Sequence, residues 1–406
     1  MPVSMLAAAF VAAIVGYGST IALVLAAAAA VSATPEQTAS WVAGVCFAKA
    51  IGSAVLSVWT RVPVLLAWST PGAAIIAGTT NVSMPEAVGA FVVAGLLIVA
   101  TAAIPVLARA VSNIPSGIAA AMLAGVLLPF CMSVATAAVA SPIDVAPVIA
   151  AFLLVRLVNP LWGVIAALVV GVGWVGWRTG LSVPADVGLG APLVFIAPEW
   201  TPSVMLGLGV PLYLVTMASQ NLPGFAVLKA HGYDPPTARA LGVSGLLSAV
   251  TAFAGAHTIN MAAITAAICL SPDTHPDAAK RWRIGLVYAA IWVALGLVGS
   301  ALIAAITSLP AALIAALAGI ALLTPLMGAL AGAFEVPDQR FPASVTLAVS
   351  ASGVAAFGIG AAFWGLAAGL LVCSLDHLSR RPSARKDASR TEPSRQTPSG
   401  ARQATD

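Results

Sequence analysis

The stretch "RVPVLLAWSTPGAAII", residues 61–76, decides how the whole chain is read. It lies among apolar runs long enough to cross a membrane, yet it gathers Pro63, Ser69, Thr70, Pro71 and Gly72 within ten residues. Segment 62–78 has about 17 residues, too few to cross roughly 30 Å of hydrocarbon comfortably as a helix when two prolines also remove backbone donors. The spacing predicts an extended piece, "VPVLLAW", followed by a half-helix starting near Pro71. Ser69 or Thr70 is the expected N-cap, Pro71 suits the first helical position, and Gly72 permits close approach of backbone or ligand. A helix that begins inside a membrane turns its unpaired N–H groups and positive dipole end toward one point, which suits an anion. Irregular backbone at that depth is tolerated only where protein or a wet cavity meets it.

Composition supports the membrane reading. Of 406 residues, 60% are hydrophobic and 8% charged, with a mean hydropathy of +1.01, far from the roughly 25% charged of soluble domains. Apolar blocks recur from Leu6 to Leu378, and at about 20 residues per span plus a short connection they make about fourteen helices, though twelve also fits. Runs such as "AVGAFVVAGLLIVATAAIPVLA" are apolar on every face, unlike the alternating strands of a membrane barrel. The first span has no cleavage site after it, so Met1 is read as retained. Cys46, Cys131, Cys269 and Cys373 fall inside apolar runs, which reads as packing and not as a disulfide framework or metal cluster.

From Ser379 the chain, "SRRPSARKDASRTEPSRQTPSGARQATD", has almost no large apolar residue and is expected to be a disordered tail, 379–406. It holds seven Lys/Arg and three Asp/Glu, so it carries the whole net charge of +4 and the basic balance says nothing of nucleic acid. With the N-terminus inside, Arg61, Arg109, Arg156, Lys229, Arg239, Lys280, Arg281, Arg283, Arg340 and the tail fall on the cytoplasmic side, and Arg178 alone falls outside. That asymmetry supports an even number of spans and two cytoplasmic termini in a bacterial-type inner membrane. The connection 181–204 splits the spans seven and seven. Seven is odd, so if residues 1–180 and 205–378 are related folds, the second lies upside down relative to the first. The fold expected is therefore an all-α polytopic membrane protein of about 14 segments in two inverted repeats, its third and tenth segments broken.

The tenth segment, 255–271, reads "GAHTINMAAITAAICLS", with Gly255, His257, Thr258 and Asn260 ahead of a second apolar half-helix. In the eighth span Gln220 and Asn221 precede Pro223 and Gly224; buried amides in a span must be bonded, either to a cavity or to another helix. "GYGST" at 16–20 reads as a small, close-packing helix face, and its Ser19 is counted with the site. His257 is the one histidine inside the expected spans; its chemistry suits a proton relay, and equally a cap or ligand hydrogen bond. Trp68 reads either as a stacking surface for an aromatic ring or as core. Lys49, mid-span in "CFAKAIGSAV", needs a partner: backbone carbonyls at a broken helix, or an anion drawn by its potential.

"AWSTPGAA", "SQNLPGFAVLKAHGYDPP" and "FAGAHTINMAAITAAI", in that order, resemble the benzoate/proton symporter family, the benzoate membrane transport proteins. The resemblance covers most of residues 10–375 and implies an architecture similar to the nucleobase and sulfate transporters, with a core and a gate domain, each assembled from both repeats. It implies import of benzoate or a similar aromatic carboxylate with a proton. Carried onto this chain, its motifs fall on Trp68, Ser69, Thr70 and Gly72, on Gln220 and Asn221, and on His257, Thr258 and Asn260. The nucleobase transporters carry carboxylates on the eighth and tenth segments, where this chain has Gln220 and His257, which favours an anionic substrate. A transporter of another small organic or inorganic anion is the nearest rival. A channel or intramembrane enzyme is a further one, although no HExxH, no nucleophile with a base, no paired intramembrane carboxylates and no phosphate loop occur. No cofactor and no metal are called for. Lipid is the expected surround, and small residues on many helix faces permit a homodimer.

Overall fold

Prolines and capping side chains set where the helices begin. In the computed structural model, which describes residues 2–178, 180, 193–357 and 359–388, the first half comprises α1 (Val3–Gly18), α2 (Ile21–Ala30), α3 (Pro35–Thr60), β1 (Leu66–Trp68), α4 (Thr70–Ala77), α5 (Met84–Ala103), α6 (Pro105–Ser112), α7 (Ser116–Ala140), α8 (Pro142–Val158) and α9 (Pro160–Arg178). α3 and α5 each start on a capping box, Thr34 with Gln37 and Ser83 with Glu86, with proline in the first turn. The second half comprises α10 (Pro202–Val204), α11 (Val210–Thr216), α12 (Leu222–Ala230), α13 (Thr237–Thr251), β2 (Ile259–Met261), α14 (Ile264–Leu270), α15 (Ile284–Thr307), α16 (Ala311–Phe334), α17 (Arg340–Ala351) and α18 (Ala361–Ala388). α10, α11 and α12 form one apolar run joined by wide π turns at Met205–Gly209 and Met217–Asn221. Each π turn is followed two residues on by a proline, Pro211 or Pro223, whose missing N–H breaks the regular ladder.

The helices form two groups. In one, α3 packs on α15, α5 on α13, and α1 on α14 and α15; in the other, α7 packs on α16 and α17, α17 on α18, and α8 on α9. The largest apolar core is continuous through both groups. Close crossings rest on small residues: a Cβ placed on Gly95 would come 2.6 Å from the backbone nitrogen of Ala249 and 2.9 Å from the carbonyl of Gly245, the geometry by which helices in lipid gain van der Waals contact. Among the described residues seven helical units are long and apolar enough to cross a membrane, and an eighth if the pair Ala278–Leu297 and Gly299–Ile306, bent by 55°, counts as one span.

Three local expectations change. The first span, Val3–Ala30, is interrupted within "GYGST": α1 ends at Gly18 and Ser19 and Thr20 lie outside both helices, and this frees the Thr20 hydroxyl to turn inward. The fourth span stops at Ala103, because Pro105 forces Ile104 out of the helical region, to φ −112° and ψ 103°. The expected tail is helical as far as Ala388, and residues 389–406 lie outside the described set. Most of the 181–204 connection also lies outside it. The stretch 193–201 is pinned to the first group: Val194 N–H donates to Ser40 Oγ (2.9 Å), Ile196 N–H to the Phe253 carbonyl (2.7 Å) and Glu199 N–H to the Pro85 carbonyl (2.9 Å).

Gly95→Leu should overpack the α5–α13 crossing and lower stability by about 1–3 kcal/mol or more. Thermal unfolding of the purified protein in detergent, followed by tryptophan fluorescence, checks this against Gly328→Leu, at a position with open space around it.

Candidate functional site

The two broken segments meet. β1 pairs antiparallel with β2 in the register Leu66↔Met261, Ala67↔Asn260, Trp68↔Ile259, so the extended pieces satisfy each other's backbone inside the helical bundle. Side chains from flanking helices take the remaining groups. Ser53 Oγ on α3 accepts from Leu66 N–H (2.9 Å), Ser248 Oγ on α13 accepts from Ile259 N–H (3.0 Å), and Tyr288 on α15 donates to the Leu66 carbonyl (3.2 Å). Gly255, at φ +85°, makes the left-handed turn that leads into the second extended piece, a conformation that only glycine adopts without strain.

α4 starts where the sequence places it. Ser69 is the N-cap, its Oγ accepting from Gly72 N–H (3.1 Å). The Ser69 hydroxyl also bonds Thr216 Oγ1 on α11 (3.0 Å), which bonds Thr258 Oγ1 (2.9 Å), making a buried ladder of three hydroxyls across three elements. Thr70 meets Thr20 at 2.9 Å, and Ser19 turns back to the Gly16 carbonyl (3.3 Å). Gly72 is enclosed by Ser69 and Leu212, so its want of a side chain serves packing. Since Ser69 caps Gly72 and Pro71 has no N–H, α4 keeps fewer free donors than an uncapped helix end. No side chain caps α14.

His257 is wholly buried and both of its ring nitrogens are engaged. Trp41 Nε1–H donates to Nδ1 (2.8 Å) and Nε2 meets the Ser69 carbonyl (3.2 Å). A carbonyl only accepts, so the ring is the Nε2–H tautomer, assigned from its partners. The ring clamps α3 to the N-cap of α4. Asn260 reaches the same cap, with its amide oxygen toward Ser69 N–H (3.1 Å) and its nitrogen toward the Met261 carbonyl (2.9 Å), the orientation that satisfies both. Asn221 braces β2 from below: its Oδ1 accepts from Met261 N–H (2.9 Å) and its Nδ2 rests on Met217 Sδ (3.3 Å). Gln220, half-buried, stands apart from this net.

Lys49 does not go to backbone carbonyls. Its ammonium lies 2.9 Å from the ring centroid of Trp292 and 4.6 Å from that of Trp68. Among the described residues no carboxylate lies within ion-pair distance of it. Trp68 is buried and donates through Nε1 to the Gly16 carbonyl (3.1 Å), with Tyr17 and Tyr288 completing an aromatic cluster. Sequence reasoning missed Trp41, Thr216, Ser53, Ser248, Tyr288 and Trp292. For the last two a signal exists, an i, i+4 aromatic pair on α15; for the others only contact reveals the role. Among the described residues no His, Cys, Asp or Glu are grouped to hold a metal. A surface groove lined by Ala54, Val55, Val58 and Trp59 lies on the outward face of α3, away from all of this.

Two interrupted segments that meet at their extended pieces inside a bundle of apolar helices are an arrangement found in secondary transporters. The fold agrees: the structure superposes on the transmembrane domain of a cyanobacterial bicarbonate transporter, BicA, with a TM-score of 0.58 over 92% of this chain and 95% of that one at 14% identity. It superposes on the murine anion transporter Slc26a9 with a TM-score of 0.59 over 94% of this chain and 69% of that one at 12% identity. The sequence narrows the class. Residues 1–375 match the family model of the benzoate membrane transport protein, and the chain belongs to that family. It is 39% identical to the inner membrane protein YdcO of Escherichia coli over 371 residues, 91% of this chain and 95% of the relative. It is 33% identical to the benzoate membrane transport protein of Acinetobacter baylyi over 366 residues, 90% and 93% of the two chains.

Asn221→Ala should strand the buried Met261 N–H and lower stability by about 1–3 kcal/mol, whereas Gln220→Ala should change it by less than about 0.5 kcal/mol. Paired melting curves of the two variants separate the brace from its neighbour.

Proposed function

We propose that this chain imports benzoate or a similar aromatic carboxylate together with a proton, by alternating access. The observation that carries the reading is the buried meeting of the two broken segments, where hydroxyls, amides and a lysine gather and, among the described residues, no carboxylate stands to repel an anion. The family and the Acinetobacter relative's name supply the substrate class. In this reading the substrate sits at the N-cap of α4, against the bonded cluster that Ser69, Thr70 and Gly72 form with His257, Thr258 and Asn260. Ser19, Trp68, Gln220 and Asn221 border it.

The architecture we infer is fourteen segments in two inverted repeats, 1–180 and 205–378. The packing pattern supports it, because exchanging each segment for the one seven places on turns the pairs α3–α15, α8–α9, α7–α17 and α1–α14 into α13–α5, α17–α18, α16–α8 and α11–α4, all of which are in contact. The group around α3, α5, α13 and α15 is the core that carries the site, and the group around α7, α16 and α17 is the gate against which it moves. The Lys/Arg asymmetry supports two cytoplasmic termini, and the printed name of the Escherichia coli relative supports an inner-membrane location.

An anion entering a cell that is negative inside is opposed by about 2.3 kcal/mol per charge per 100 mV. One accompanying proton removes that opposition. His257 is the histidine available, but a proton on Nδ1 would break its bond from Trp41. We therefore give His257 the role of a clamp and assign the travelling proton to the substrate carboxylate together with the cationic group that pairs with it.

In proteoliposomes, labelled benzoate should accumulate when the outside is made acidic and should only equilibrate without a pH gradient. Uptake indifferent to the gradient would remove proton symport and leave a channel or uniporter. His257→Gln should melt at a lower temperature while keeping the ratio of gradient-driven accumulation to benzoate exchange. Selective loss of the accumulation would return the proton to His257.

A further inference from the structure

We propose that Lys49 is the counter-charge of the substrate carboxylate, held in wait between the indoles of Trp292 and Trp68. This rests on the reading of the protein as an aromatic-carboxylate transporter and names the group that recognises the charge. Lys49 is 1% exposed and wholly enclosed by helix α3 and its neighbours. A buried ammonium without an anion is costly and needs a functional or structural partner. Its neighbours in the free protein are π faces, at 2.9 and 4.6 Å, which stabilise a cation but leave its N–H donors without acceptors.

Two further buried polar groups in the same cluster are unpaired. Among the described residues the Tyr17 hydroxyl and the Trp292 indole N–H have no hydrogen-bond partner. Tyr17 stands 5.6 Å from Trp68 and 6.2 Å from Trp292, ring centre to ring centre, and the two indoles stand 5.7 Å apart edge to face. An ammonium and an indole N–H only donate, a phenol donates as well as accepts, and native interiors rarely leave such groups unpaired without a reason. What the cluster lacks, among the described residues, is an anionic acceptor. A carboxylate supplies up to four acceptor sites and forms charge-assisted bonds to the ammonium, while the indole walls suit the flat face and edges of an aromatic ring. The Trp68 indole donates to the Gly16 carbonyl and, four residues on, Thr20 meets Thr70, so the turn between α1 and α2 links this cluster to the first turn of α4. The ammonium exchanges its indole contacts for the substrate oxygen as the ring enters.

Full-length protein in detergent tests this, with benzoate and its uncharged isostere benzamide as probes, read by calorimetric titration and by the shift in melting temperature. The wild type should bind benzoate and prefer it to benzamide. Lys49→Met should lose about tenfold to 100-fold in benzoate affinity and lose the preference, yet melt without ligand at the wild-type temperature or higher, because the buried charge is gone. Trp292→Phe keeps the ring, removes one donor and should weaken benzoate by about three- to tenfold. Wild-type affinity and preference in Lys49→Met would overturn the assignment of Lys49 while leaving benzoate transport intact. Unchanged benzoate binding by Trp292→Phe would remove that indole N–H from the site. A wild type that neither binds nor transports benzoate would overturn both the assignment and the transport reading beneath it.

Discussion

Everything at the centre of this protein depends on one requirement, that backbone taken out of a helix inside hydrocarbon must find hydrogen bonds elsewhere. Pro63, Pro71 and the turn at Gly255 take two stretches of chain out of helix. Each then pairs with the other through β1 and β2, and each has its leading N–H taken by a serine from a helix alongside, Ser53 for Leu66 and Ser248 for Ile259. The cost of an unpaired peptide group in that setting is several kcal/mol, so the pairing and its serines stand or fall together.

The same requirement explains why the polar residues around the two segments divide into two kinds. Asn221 and His257 complete the backbone's bonds, one holding Met261 N–H and the other tying Ser69 to Trp41. The hydroxyl ladder of Ser69, Thr216 and Thr258 lies at the end of α4, where three elements meet. Residues that serve the scaffold this closely cannot also change partners in a transport cycle without loosening it. Lys49, Tyr17 and Trp292 are different, since their donors are buried and uncommitted. A site that must bind and release an anion needs groups of that second kind held in place by groups of the first.

Small residues carry the rest. Helices in lipid have no hydrophobic effect to press them together, so they approach through glycine, as α5 and α13 do at Gly95 and Gly245. Close pairs of this sort hold each group of helices together as a unit.

The sequence by itself determined the membrane class, from hydropathy; the two interrupted segments, from Pro63 and Pro71 in the first and from Gly255, His257, Thr258 and Asn260 in the second; and a cap at Ser69 or Thr70, from the order Ser-Thr-Pro-Gly. These are local properties, readable wherever a short stretch dictates its own conformation. It also carried three motifs ample enough to mark the family. Only the tertiary structure decided what those residues touch. It made "GYGST" a break, set Asn221 under β2, engaged both nitrogens of His257 and laid Lys49 against Trp292, more than two hundred residues away in the chain. A residue's type states which bonds it is able to make; the partner it meets is settled by packing between distant segments, and no local pattern records it.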